Sequence, residues 1–151
     1  MSDLEKFTKP LPEEPGLLGI TNLKGVVDAL GKQLAPVFDE QRTTWEREGP
    51  AAQAAFDATG ATLNCIGGNC PVQAEGIVDG RPFYFRARGD EWSLDIGPED
   101  QWHGYGCWRI ERDYGSGFDA GWMHKHEALG FIVEGIAEYR ARLTPSPSKD
   151  S

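Results

Sequence analysis

The chain has 151 residues, 39% of them apolar and 26% charged, with 15 basic against 24 acidic side chains and a formal charge of −9. That is length enough for one domain to bury a core of its own without disulfide or metal. The acidic balance excludes a direct nucleic-acid binder, whose affinity comes largely from Lys and Arg neutralising phosphates, and it speeds encounter with a basic protein.

No stretch of 18 apolar residues is present, so no membrane span is expected. The first residues lack a basic segment followed by an apolar one, and three cysteines are an odd number for a disulfide scaffold. A cytoplasmic protein with no membrane partner is the expectation.

In chain order, residues 1–19 carry Pro10, Pro12 and Pro15 and no sustained apolar period, which predicts a flexible leader. Thr21 or Asn22 can then cap a helix bearing Leu23, Val26, Val27, Leu30, Leu34, Phe38 and Trp45 at three- and four-residue steps. Pro36 should kink this helix or split it near Ala35. Gly49 should close it, and Pro50 suits the first turn of a short second helix running to Gly60.

The next stretch, 61–96, folds on paper into one antiparallel sheet. Gly67-Gly68 is a candidate tight turn between strands at 61–66 and 69–78. Asp79-Gly80 is a stronger signal, since that dipeptide suits a type I′ hairpin. It sets Gly76 beside Phe83 and Ala74 beside Phe85, small residues making room for rings. Gly89-Asp90, glycine first, suits a type II′ turn. That turn pairs Ala87 with Trp92, Phe85 with Leu94 and Phe83 with Ile96 on one face. On the other it pairs Arg88 with Glu91, Arg86 with Ser93 and Tyr84 with Asp95. A one-residue slip would set Trp92 and Leu94 against arginines, so the register is well specified.

Residues 97–106 read as an irregular loop holding Glu99, Asp100, Trp102, His103 and Tyr105. A strand at 107–113 places Trp108 and Ile110 on one side and Arg109 and Glu111 on the other. A closing helix over 124–143 should bury Leu129, Ile132, Val133, Ile136 and Leu143, with Arg140 and Arg142 at the negative end of its dipole. Residues 144–151 have the composition of a disordered tail. The fold class is therefore α+β: N-terminal helices, a four- to five-stranded antiparallel meander and a C-terminal helix on one face, with 20–143 as the domain.

The segment Pro82-Phe83-Tyr84-Phe85-Arg86-Ala87-Arg88-Gly89, with Trp92 after it and Ala120-Gly121-Trp122-Met123 before the last helix, resembles small bacterial and bacteriophage proteins. The resemblance covers about half of the chain, from Cys70 onward. It implies a phage or mobile-element origin and carries over no catalytic residue.

Chemistry-bearing residues are few. Cys65 and Cys70 face each other in the proposed first hairpin, and with Cys107 or His103 they could bind zinc, which takes four Cys and His ligands. The same register points both thiols to the apolar side beside Leu63 and Val72, where cysteines pack as small hydrophobes, and that is the preferred reading. His124 and His126, two apart on a helix, diverge and make a poor ligand pair. No phosphate loop, Gly-x-Ser-x-Gly elbow or His-Glu-x-x-His is present. No catalytic residue, metal or cofactor is assigned.

Two surfaces remain. The polar sheet face joins Tyr84 with Arg86, Arg88, Glu91 and Asp95, a tyrosine among arginines as at interface centres. An acidic run adds Asp90, Glu99 and Asp100. Together they predict a non-enzymatic binding protein that engages a basic, nucleic-acid-handling protein, such as a phage inhibitor of host defence of the anti-CRISPR kind. Two alternatives stay open: an immunity or antitoxin protein, and a small metal- or thiol-dependent enzyme using the cysteines and histidines.

Overall fold

A computed structural model describes residues 23–98 and 107–144. The chain divides into two compact units, Met1–Asp39 and Glu40–Ser151. The elements run α1 (Leu23–Asp57), β1 (Thr62–Gly67), β2 (Val72–Val78), β3 (Arg81–Arg88), β4 (Glu91–Ile96), β5 (Trp108–Asp113), a 3-10 turn (Asp119–Trp122) and α2 (Lys125–Leu143). The architecture is α+β, and the expected leader, 1–19, and the expected tail beyond Thr144 lie outside the described residues.

The N-terminal helices are one helix. Neither Pro36 nor Pro50 ends it, and Gly49 does not close it. A proline's φ near −65° is itself helical, so each proline forgoes one backbone bond while the turns on either side continue. Gly49 is buried because the Trp45 indole lies over it: a Cβ there would stand 2.6 Å from the ring. In the first unit the apolar stripe of α1 does not enter a core, as Val26, Val27, Leu30, Leu34 and Phe38 are all exposed.

In the second unit the five strands form a meander in the order β1-β2-β3-β4-β5. Asp79 and Gly80 both take positive φ, 52° and 75°, the signature of the type I′ turn, and Gly89 takes φ 66° as a type II′ turn requires. The β2–β3 pairs Gly76↔Phe83 and Ala74↔Phe85 form, as do all six expected β3–β4 pairs from Phe83↔Ile96 to Arg88↔Glu91. Gly76 is required at its place, because a Cβ would meet the Phe83 ring at 2.5 Å and the Thr62 carbonyl oxygen closer still.

The apolar face of the sheet carries Val72, Ala74, Val78, Phe83, Phe85, Ala87, Trp92, Leu94, Ile96 and Ile110, all buried. From α2 come Ala128, Leu129, Ile132, Ile136 and Tyr139, and from the end of α1 Phe56. Phe85 stacks on Trp92 at 5.8 Å and Trp92 on Phe131 at 4.9 Å, while Phe56 meets Phe83 edge-on at 6.2 Å. At the end of α2, Leu143 is 61% exposed rather than buried. The helix has by then run past the sheet's last apolar residues, and Tyr139, against Trp108 at 5.5 Å, is its last core contact.

The first hairpin differs from expectation. A bulge between Leu63 and Cys65 shifts the register, so that Ile66 opposes Ala74 and Cys65 opposes Glu75. The turn is longer than two residues, and Cys70 lies outside the strands at φ 50°, its amide donating to the Gly121 carbonyl at 2.6 Å. Cys65 and Cys70 are therefore not cross-strand partners, and both are exposed. The extra residue of the bulge turns Cys65 to the polar side while keeping Ile66 and Leu63 against the core.

Candidate functional site

Strand alternation sends every second residue of β3 and β4 away from the core. On β3 these are Tyr84, Arg86 and Arg88, and on β4 Glu91, Ser93 and Asp95. The β4–β5 register adds Arg109 opposite Asp95 and Glu111 opposite Ser93. The face is thus laid out in rows across the strands: Gln73, Arg86, Ser93, Glu111, then Glu75, Tyr84, Asp95, Arg109, and at one end Arg88, Glu91, Asp113.

Seven of these side chains line one cleft of about 430 Å³: Tyr84, Arg86, Arg88, Glu91, Ser93, Asp95 and Arg109. Five are residues expected from the sequence. Glu99 and Asp100 lie outside the described residues. Arg109 and Ser93 were missed as site residues, and their roles are distinct. Ser93 is 8% exposed, a polar side chain at the cleft floor beside Arg86. Arg109 is legible only once the β4–β5 register is known, and no local turn signal between the two strands specifies that register.

The charges are unevenly satisfied. Arg109 places Nη1 2.9 Å and 3.0 Å from the two carboxylate oxygens of Asp95, and Nη2 2.7 Å from Glu111 Oε2. Its guanidinium is held further above its ordinary value, first by the Glu111 hydrogen bond and then by Asp95, against desolvation. Arg86, one strand over, has its Nε fully enclosed with no acceptor. A buried donor left unpaired costs about 1–3 kcal/mol, and more when charged. By contrast Arg42, Arg47, Arg112 and Arg140 each hold a carboxylate, Glu46, Glu48, Glu138 and Asp79 respectively.

The other candidates fare differently. Among the described residues no group of three Cys, His, Asp or Glu side chains is placed to hold a metal ion. Cys107 is half-buried, and His103 lies outside the described residues. His124 and His126 do not diverge: their rings stack at 5.6 Å and 29°. His124 is the extended residue preceding α2 (φ −71°, ψ 148°), so helical spacing does not govern the pair. Its amide donates to Glu127 Oε2 at 3.0 Å, which closes the start of the helix, while Glu127 Oε1 accepts from the Tyr114 hydroxyl at 3.0 Å.

What the cleft can do follows from its groups. It offers guanidinium donors, a phenol and a hydroxyl on a rigid sheet, which suits recognition of a polar group by hydrogen bonding and charge. No protein-family model, no curated protein and no solved structure matches this chain.

Proposed function

We propose that the protein is a non-enzymatic binding protein and that the cleft on the polar sheet face is its contact surface. The observation that carries this reading is the gathering of Tyr84, Arg86, Arg88, Glu91 and Asp95 around one concavity. Tyrosine and arginine are the residues that most often anchor interfaces, and a cleft lets them desolvate together. The partner is a basic protein: a charge of −9 draws such a protein in by long-range attraction and disfavours free nucleic acid. An inhibitor of a nucleic-acid-handling host defence protein, of phage or mobile-element type, fits this charge and the resemblance of the β3 segment.

The experiment is affinity capture from lysate, with and without nuclease, using the wild-type chain and a Tyr84→Ala/Arg86→Ala variant, folding checked by circular dichroism. A basic protein retained by the wild type and lost from the folded variant is the expected result. Equal recovery by both baits moves the contact surface elsewhere. Recovery that disappears on nuclease treatment overturns the protein-partner reading.

A further inference from the structure

The cleft has a specific vacancy in its charge pattern. Three arginines and two carboxylates, Glu91 and Asp95, line it. Asp95 is already taken by Arg109, and Glu111, the next carboxylate along Arg86's own row, is taken by the same guanidinium. Arg86 and Arg88, two residues apart on β3 and so on the same face, make no hydrogen bond or ion pair within range among the described residues. The Ser93 hydroxyl, opposite Arg86 across the strand pair, adds a third donor to the same corner. Arg109 thereby occupies the neighbouring carboxylates, Asp95 and Glu111.

From this geometry we infer that the Arg86–Arg88–Ser93 corner takes one carboxylate side chain of the partner, an aspartate or glutamate inserted into the cleft. The inference rests on the reading of the cleft as the contact surface and deepens it. Guanidinium forks match a carboxylate bidentately, and the terminal Nη groups of Arg86 and Arg88 are the donors an incoming carboxylate would meet, since Arg86 Nε is itself enclosed. A volume of about 430 Å³ admits a whole side chain rather than the carboxylate alone. A singly charged group is favoured over a phosphate because Glu91 and Asp95 stand in the same lining and the chain as a whole is strongly acidic. A basic partner is compatible with this arrangement. Net charge governs the encounter, and one buried carboxylate on the anchor row fixes the register.

The test is an NMR titration of the full chain, following the arginine Nε–Hε signals. The probes are N-acetylglutamate N-methylamide and inorganic phosphate, each against sodium chloride of equal ionic strength. The expected result is a saturable shift at Arg86 and Arg88 with the glutamate probe, no shift at Arg109, and a weaker response to phosphate. Either Arg86→Gln or the exposed-site variant Arg88→Gln should weaken the probe at least tenfold, with the fold checked by the unchanged Arg109 signal. A linear, non-saturating shift, or equal shifts at Arg42 and Arg47, overturns the site. Tighter binding of phosphate than of the carboxylate overturns the ligand class. The two levels separate cleanly: saturation with partner capture unaffected by Tyr84→Ala/Arg86→Ala keeps the anion site and removes the contact-surface reading. A flat titration with capture that depends on the cleft does the reverse.

Discussion

Replacing Phe85 by alanine tests the sheet from its centre. The ring is fully buried, stacked on Trp92 at 5.8 Å and paired across the strands with Ala74 on one side and Leu94 on the other. Its two strand neighbours are held by hairpins on both sides, and Trp92, on which it stacks, is itself stacked on Phe131 of α2, so the surroundings have little freedom to collapse into the space. The cost should then lie in the upper part of the range for a buried phenylalanine, about 3–5 kcal/mol. For a domain of about 100 residues the entropy of unfolding is roughly 0.2 kcal/mol per degree, so 4 kcal/mol lowers the melting temperature by roughly 20 °C. Tyr84, the adjacent residue in the chain, points to the opposite face and is only half-buried. Tyr84→Ala should cost well under half as much. Urea melts of both variants, read by far-ultraviolet circular dichroism and compared at equal m-value, make the measurement. Equal losses would refute the facing of β3 and with it the cleft.

Three further outcomes are expected. Burial, aided by the hydrogen bond to Glu127, pushes the Tyr114 hydroxyl up from 10.0 to about 12. A raised folded value means that the stability is fully present below pH 10 and lost as pH rises toward 12. Tyr114→Phe should flatten that loss in alkaline melts, and an unchanged alkaline slope would remove Tyr114 from it. Gly76→Ala should cost about 1–3 kcal/mol, because the added methyl meets the Phe83 ring and the Thr62 carbonyl; a melt no different from wild type would show that β1 does not approach β2 there. Cys65 and Cys70, both exposed, should react with a thiol reagent in the native protein, and Cys65→Ser should change stability by less than about 0.5 kcal/mol; protection of both thiols until denaturation would restore the inward register.

What was most legible in the sequence was whatever two independent local signals agreed on. The β3–β4 register was fixed twice, by the Gly89-Asp90 turn and by alternation of apolar and charged residues, and it forms pair for pair. The β2–β3 hairpin was fixed the same way by Asp79-Gly80. Signals that stood alone had mixed outcomes: β5 and α2 form where alternation and the helical period place them, while others do not. Gly67-Gly68 suggested a tight turn, but a bulge adds a residue without any marker in composition, and it turned Cys65 to the other face. Pro36 reads as a kink or split and Pro50 as the start of a second helix, yet a proline's φ is compatible with one continuous helix. Leu143 continued the helical period beyond the point where the sheet could cover it. Six of the seven cleft residues lie on β3 and β4, whose register is legible. Arg109, which pairs with two of the carboxylates on this face, depends on a β4–β5 register that local patterns do not specify.

The bulge in β1 has a consequence for the solution behaviour of the chain. A meander leaves two outer strands, and here these are β1 and β5. An outer strand with a straight row of free amides and carbonyls is a template for another chain, and repeated pairing of that kind leads to aggregation. On β5 the outward charges of Arg109, Glu111, Arg112 and Asp113 discourage such an approach. The sequence of β1, Thr-Leu-Asn-Cys-Ile-Gly, carries no charge at all. There the interrupted spacing between Leu63 and Cys65 takes over, since a second copy laid along it would find its bonding groups out of step halfway down. Straightening that strand by deleting Asn64 would leave an uncharged, uninterrupted border, and the chain would be expected to self-associate along it.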